Sequence, residues 1–344
     1  MERSGSEDSP PYALSVVIPV YRGELTLRSV VEELLPLTVP TLTPAGAEFI
    51  VSEVIIVHDD GPDGSDAVIL ELSEAHPVVN VVWLSRNFGQ HAATLAGMAE
   101  STGTWIVTMD EDGQHDPADI GKFLDVGLAT RAGVVYANFT NERPHGFLRS
   151  IASRTAKRML GAVFGTPDSS RFQSFRLVRG DMARQLTSFA APGVYLDVAL
   201  SWVTTNIATA PTELRSDAGR PSTYSLRALL AYFWRLVVTS GTRGLRLVSV
   251  AGALIALIGL VIAVYIVIAY ASGNVPEPQG WPSLMVIVLL CSGAILIALG
   301  IIAEYLGAVQ NVAMGRPLYV VVDPPGTAQP SALHLPAHAE GMRL

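Results

Sequence analysis

With hydrophobic residues at 49% and charged residues at 16% of 344 positions, the chain is too apolar for a disordered or purely soluble protein, and part of it belongs in lipid. Its 23 Lys and Arg against 31 Asp and Glu give a net charge of -8, which excludes a general nucleic-acid binder that grips phosphates with a basic face. The single cysteine, Cys291, excludes an intrachain disulfide framework, a CxxC redox pair and a cysteine-based zinc site, and suits a reducing compartment around most of the chain.

Residues 1–12 are polar, lack the apolar core of a signal peptide and are expected to be disordered. Residues 13–223 are expected to form an α/β domain, because short β-branched runs alternate there with helical patterns. Ser15 to Val20 precedes a helix over Leu25 to Leu37, and Val54 to Val57 precedes Ala67 to Ala75. Asn80 to Leu84 precedes His91 to Ser101, Trp105 to Met109 precedes Pro117 to Ala129, and Gly133 to Asn138 follows. That alternation predicts a mostly parallel sheet, in which ligands bind beyond the carboxyl ends of the strands. The residues there are Tyr21 to Glu24, His58 to Gly61, Ser85 to Gly89 and Asp110 to Asp116.

The fourth of these segments carries the sharpest chemical signal. On extended backbone, Asp110, Asp112 and Gln114 point the same way and offer oxygens to one hard cation, Mg²⁺ or Mn²⁺. A DxD alone also reads as an exposed acidic turn; with Asp59 and Asp60 at another strand end it reads as a metal and nucleotide site. His58 and His115 are left out of the metal shell. There is no Walker A sequence, no G-x-G-x-x-G after a strand and no G-x-S-x-G, which removes kinase-like, dehydrogenase and serine-hydrolase readings. What remains is a metal bridging a diphosphate, where it stabilises a leaving group.

Further along, Phe147 to Phe164 reads as a basic helix, either interfacial or an ordinary surface helix. Tyr224 to Thr239, within a juxtamembrane segment 224–243, places Leu226, Leu229, Leu230, Phe233 and Val237 on one face beside Arg227 and Arg235. It is expected to be an interfacial amphipathic helix, with a core helix as the alternative. Leu247 to Tyr270 and Ser283 to Ala303, within 244–304, contain no charged residue and are expected to be two transmembrane helices. Arg235, Arg243 and Arg246 precede the first, whereas the connector Ala271 to Pro282 has no Lys or Arg. The positive-inside rule therefore places the soluble domain and both termini in the cytoplasm of a two-span plasma (inner) membrane protein. Small residues at Ala251-Gly252 and Gly293-Ala294 would permit a homo-oligomer through close helix packing. Residues 305–344 are expected to be a cytoplasmic tail, disordered from Asp323 onward.

The ordered set PVYRGE (19–24), DDGPDG (59–64), RNFGQHAATLAG (86–97), DEDGQHDP (110–117), SFRLV (174–178), Ser222-x-Tyr224-Ser225, two apolar runs, IIAEYLG (301–307) and GRPLYVV (315–321) resembles the polyprenyl-phosphate glycosyltransferases of glycosyltransferase family 2, from Ser15 to Val322. The resemblance implies a GT-A fold, a divalent cation, a nucleotide-sugar donor (UDP-linked ahead of GDP-linked) and a polyprenyl phosphate acceptor held at membrane lipid. It implies nucleotide-sugar contacts at Pro19, Tyr21, Glu24, Asp59 and Asp60, and donor-diphosphate contacts at Arg86. Asp110, Asp112 and Gln114 match its metal triplet, and Asp110, Asp112, Arg86 and Arg176 its catalytic set. Arg176, Arg215, Arg220 and Ser222 match positions that hold the lipid phosphate, a task suited to arginine's planar fork.

The sequence departs from that pattern in four places. The loop at Asp59 to Ser65 is one residue short, Glu111 adds a carboxylate inside the DxD, and in Gly219 to Ser225 Thr223 replaces the lysine of a GxSKYS element that is one residue longer here, with Arg220 as the substitute charge. Ser174 occupies the place where some members carry an aspartate proposed as a base. A lipid phosphate monoester is already anionic at pH 7, so inverting displacement at the anomeric carbon needs no strong base. The rival readings are a glycosyltransferase acting on another lipid or a polysaccharide, a noncatalytic nucleotide-binding accessory subunit, and a transporter, which two spans hardly build alone.

Overall fold

The computed structural model describes residues 10–141, 172–190, 195–215 and 281–325, with scattered positions between 252 and 272. The expected helices over 147–164 and 224–243, Arg220, Ser222 and most of the first expected span and of its connector lie outside the described residues.

The chain falls into two compact units. The first is built on a nine-stranded sheet. Strands β1 (Tyr12–Val20), β3 (Glu48–His58), β4 (Val79–Leu84) and β5 (Trp105–Thr108) run parallel, with β5, β1, β3 and β4 as neighbours in that order. Beyond β5 lie β7 (Arg176–Arg179), antiparallel to it, then β6 (Val134–Phe139) and β8 (Ile207–Thr212). A two-residue β2 (Thr41–Leu42) pairs antiparallel with β3. Leu14 through Val20 are buried without alternation, as a central strand covered on both faces requires.

Alternate residues of each strand feed opposite cores. Leu14, Val16, Ile18 and Val20 pack with helices α1 (Leu27–Leu34), α2 (Ser65–Ala75) and α4 (Ile120–Thr130) on one face. Val17, Ile55 and Val57 pack with α3 (Gln90–Glu100), α5 (Gly180–Phe189) and α6 (Leu196–Val203) on the other. In α1 the buried residues are Leu27, Val30, Val31 and Leu34, the spacing of one helical stripe. Helix α3 lies so close to the sheet that a Cβ on Gly97 would come within 2.4 Å of Val17 Cγ1, so the small residues of AATLAG set the layer spacing. The α/β class and the mostly parallel sheet agree with the sequence reading, and so do the five β-branched runs and the helices between them.

The second unit holds helix α7 (Trp281–Ala313). Its 33 residues extend about 50 Å at 1.5 Å per residue, and Leu284, Ile295, Leu296, Leu299, Ile302 and Leu306 are exposed on it. Taken over the described residues alone, no helix is both long and apolar enough to cross a membrane.

The expected tail from residue 305 requires correction. Helix α7 continues through Ala313, because Tyr305 to Ala313 keeps helix-forming residues until Gly315, whose φ of +63° ends it. The chain then returns to the first unit, where β9 (Val321–Val322) pairs antiparallel with β4. Leu318 and Tyr319 pack on the second core cluster. Val320 and Val321 are β-branched residues that suit an edge strand.

Candidate active site

The carboxyl ends of β1, β3, β4 and β5 and the amino end of antiparallel β7 meet at one edge of the sheet. The loops after β1 and β3 are tied to each other. Gly23 N–H donates to Ser65 Oγ at 2.8 Å, Glu24 N–H to Asp63 Oδ2 at 3.2 Å, and Gly64 N–H to Glu24 Oε2 at 3.1 Å. Gly61 lies directly against Tyr21, where a Cβ would sit 1.9 Å from the Tyr21 carbonyl oxygen, so only glycine fits. Burial pushes the Asp63 carboxyl up, but hydrogen bonds from Ser65 and Glu24 outweigh it and hold the group below its ordinary value. Of the expected nucleotide contacts, Tyr21, Glu24 and Asp60 are exposed here and Pro19 is buried within β1. Asp60 takes a left-handed backbone, φ 50°, which turns the chain out of β3.

Asp59 is differently placed. It is buried, and its two oxygens accept the backbone N–H groups of Phe88 at 2.7 Å and Gly89 at 2.8 Å. Burial raises its pKa and those two N–H donors oppose the rise. The carboxylate expected to touch nucleotide thus fixes the loop that carries Arg86. Arg86 itself is exposed; its Nη1 donates to the Asn87 carbonyl at 3.2 Å and its guanidinium lies 4.0 Å above the Phe88 ring, a cation–π contact that helps to orient the fork.

Asp110 lies just past β5. Gln90 Nε2 donates to its Oδ1 at 2.6 Å and Ser174 Oγ to its Oδ2 at 2.6 Å. Antiparallel β7 brings Ser174 there, since Arg176 stands opposite Thr108. Gln114 N–H donates to Asp112 Oδ1 at 3.1 Å, and Arg215 N–H to the Gln114 carbonyl at 3.0 Å, so the triplet is folded into one turn. Glu111 points away toward the β1 loop and accepts the Arg22 N–H; burial raises its pKa. Among the described residues no three or more His, Cys, Asp and Glu side chains form a metal-holding group. The triplet offers two carboxylates and one amide oxygen, all hard donors, and each Asp110 oxygen retains a lone pair beside its hydrogen bond. That set fits an oxygen-seeking divalent cation that takes its other ligands from a diphosphate or water.

Of the three arginines expected at the lipid phosphate, the two among the described residues, Arg176 and Arg215, are already paired. Arg176 is 3% exposed; its Nε donates to Thr108 Oγ1 at 3.0 Å and its Nη1 to Asp197 Oδ1. Tyr136 donates its hydroxyl to the same Asp197 oxygen at 2.9 Å, and burial drives the phenol well above its ordinary pKa. Arg215 reaches Glu33 Oε2 at 2.5 Å and Asp116 Oδ1 at 3.0 Å and is half-buried. Gln90 and Asp197 are site groups that the sequence reading does not single out, and Ser174 enters it only as the residue in place of an aspartate. Gln90 stood inside the quoted RNFGQHAATLAG segment, whereas Asp197 has no local signal.

Residues 15–187 match the family described as Glycosyl transferase family 2. The undecaprenyl-phosphate 4-deoxy-4-formamido-L-arabinose transferase of Klebsiella pneumoniae is 28% identical over 314 residues, covering 91% of this chain and 93% of the relative. The protein of that name from Edwardsiella ictaluri is 26% identical over 311 residues, covering 90% and 93%. A crystal structure of glucosyl-3-phosphoglycerate synthase from Mycobacterium tuberculosis, in complex with Mn²⁺, UDP-glucose and phosphoglyceric acid, overlays with a TM-score of 0.48. It has 18% identity, over 68% of this chain and 80% of that one. With a GT-A-like α/β sheet and the family match over half its length, the chain belongs to glycosyl transferase family 2.

Proposed function

We propose that this glycosyltransferase moves a sugar from a nucleotide-sugar to a polyprenyl phosphate, undecaprenyl phosphate in a bacterial cell, with inversion at the anomeric carbon. The observation that carries the reading is the Asp110 carboxylate, held by Gln90 and Ser174 at the sheet edge beside the Asp59-fixed loop of Arg86. The names of the relatives support the acceptor class.

Asp110, Asp112 and Gln114 would hold Mg²⁺ or Mn²⁺, which when bound supplies positive charge to the departing diphosphate. Arg86 pairs with the same diphosphate through its exposed fork. Tyr21, Glu24 and Asp60 line the nucleotide side. A lipid phosphate oxygen forms the new bond to C1 while the bond from C1 to the donor diphosphate breaks, its electron pair leaving with the nucleoside diphosphate. Because the attacking phosphate is an anion, no side chain needs to take a proton. Arg215, Arg220 and Ser222 are assigned to the lipid phosphate, Arg215 by exchanging Glu33 and Asp116 for it. Arg176, being buried on Asp197, contributes a fixed positive charge rather than a direct contact. The two apolar runs Leu247 to Tyr270 and Ser283 to Ala303, expected from sequence as spans, would anchor the enzyme in the plasma membrane, with the sheet domain cytoplasmic.

The test is a radiolabel transfer assay with detergent-purified protein, undecaprenyl phosphate, Mn²⁺ or Mg²⁺ and a panel of UDP- and GDP-sugars. Label is expected to enter the organic phase from one donor and to stop with EDTA. Metal-dependent nucleotide binding with no lipid product from any donor would overturn the reading in favour of an accessory subunit.

A further inference from the structure

His115 lies in the turn after β5 with its side chain 5% exposed. Its ring is stacked on Phe175, centroids 4.8 Å apart at 10°, and lies parallel to Phe139 at 6.0 Å. Its Nδ1 accepts the Asp110 backbone N–H at 3.1 Å. At the end of a parallel strand an N–H has no ladder partner, and a buried one without an acceptor is strongly disfavoured. Here the acceptor comes from five residues ahead, and the bond closes the turn that carries Asp110, Asp112 and Gln114. Gly113, at φ +75°, provides the reversal inside it. An accepting Nδ1 leaves the proton on Nε2, which lies 3.9 Å from Asp110 Oδ2. The ring therefore holds the Asp110 main chain with one nitrogen and faces its carboxylate with the other, while Phe175 and Phe139 fix its plane.

We propose that His115 is a positioning residue: its Nδ1 closes the Asp110–His115 turn and so sets the two carboxylates and the amide oxygen for one divalent cation. This rests on the metal reading proposed above. It assigns the histidine no ligand bond and no proton transfer.

The test contrasts two polar replacements on the full-length protein. In His115→Asn the side-chain oxygen sits near the position of Nδ1 and can accept the Asp110 N–H; in His115→Gln the amide reaches toward Nε2 instead. Mn²⁺ uptake in the presence of saturating UDP or GDP, followed by electron paramagnetic resonance, reads the site without turnover. The apparent Kd is expected to stay within about threefold of wild type for His115→Asn and to rise about tenfold or more for His115→Gln. A role in packing alone would harm the smaller asparagine at least as much, so equal behaviour of the two variants overturns the proposal. Wild type taking up no Mn²⁺ with either nucleotide would bring down the metal reading together with the proposal. Should neither variant fold, the ¹⁵N shifts of the wild-type imidazole decide: Nδ1 is expected unprotonated, and a protonated Nδ1 overturns it.

Discussion

The carboxylate of Asp59 and the backbone amide of Phe88, 29 residues apart, are joined by a 2.7 Å hydrogen bond. Because the second oxygen of Asp59 accepts the Gly89 N–H at 2.8 Å, one buried side chain at the end of β3 terminates the loop after β4. The ionised form accepts both bonds best, since protonation turns one of the oxygens into a donor. Burial opposes ionisation, and the two amides restore part of it. Arg86 is two residues before Phe88, so the direction of its guanidinium depends on a carboxylate it does not touch.

Asp59→Asn keeps the shape but presents an NH₂ to one of those amides. It is expected to cost about 1–3 kcal/mol of stability, the range for an unsatisfied buried group. It should raise the KM for nucleotide-sugar more than it lowers kcat, since the loop and not the chemistry is loosened. Chemical denaturation and initial rates measure the two effects, and unchanged KM with lowered stability would confine Asp59 to the fold.

Much of this frame can be read from residue type. The runs at 15–20, 54–57 and 105–109 are rich in β-branched residues and buried on both faces, as central strands between two helical layers require. The DxD segment likewise announces hard oxygen donors. What residue type does not reveal is direction. Asp59 and Asp60 are adjacent carboxylates at one strand end, yet the first turns inward to two amides and the second, with φ 50°, outward to solvent. Arg176 resembles a phosphate ligand until β7 is seen to run antiparallel and carry it to Asp197, which comes from a helix 21 residues on. Ser174 gains its place beside Asp110 from the same strand reversal. Long-range pairing decides each case, and local sequence carries no trace of it.

The Arg176–Asp197 pair is expected to behave as a unit. Asp197→Ala leaves a buried guanidinium without its counter-charge and should cost about 3–5 kcal/mol. Arg176→Met combined with Asp197→Leu removes both charges and should recover most of that loss. Tyr136→Phe removes only one hydroxyl and should cost about 1 kcal/mol. Denaturant midpoints of the four proteins form the comparison; a double variant no more stable than Asp197→Ala would mean that the stranded charge of Arg176 is not what lowers stability.

Far from the site, Glu53 carries a pH-dependent part of the stability. Burial raises its pKa, but hydrogen bonds from the Ser15 hydroxyl, the Thr102 amide and hydroxyl and the Gly103 amide outweigh that and leave it lowered. Ser15 Oγ donates at 2.6 Å and Thr102 N–H at 2.6 Å. A carboxylate depressed in the folded state gives stability that is complete above its unfolded pKa and is lost as pH falls through the folded value. Glu53→Gln is therefore expected to be less stable than wild type at pH 7 by about 1–3 kcal/mol. The gap should shrink as pH falls below the ordinary glutamate range. A difference independent of pH in denaturant titrations would show that shape, not charge, is what Glu53 supplies.

The return of the chain after helix α7 bears on the donor loop. Val320 accepts the Ser85 N–H at 2.9 Å, one residue before Arg86, and Leu84 pairs with Val321. Asp59 thus holds the far end of the Ser85–Gly89 loop and β9 holds the near end. Tyr319 anchors β9 by packing on the second core cluster, and burial raises its phenol pKa. Tyr319→Ala is expected to free the near end and raise the KM for nucleotide-sugar about 3–10-fold, because small misplacements of a diphosphate-binding group weaken catalysis steeply. Tyr319→Phe keeps the packing and should leave KM unchanged. If Tyr319→Ala lowers the melting temperature with wild-type KM, β9 covers the β4 edge against unwanted pairing and takes no part in placing Arg86. A raised KM in Tyr319→Ala alone would mean that the segment following the second expected span helps to set donor affinity.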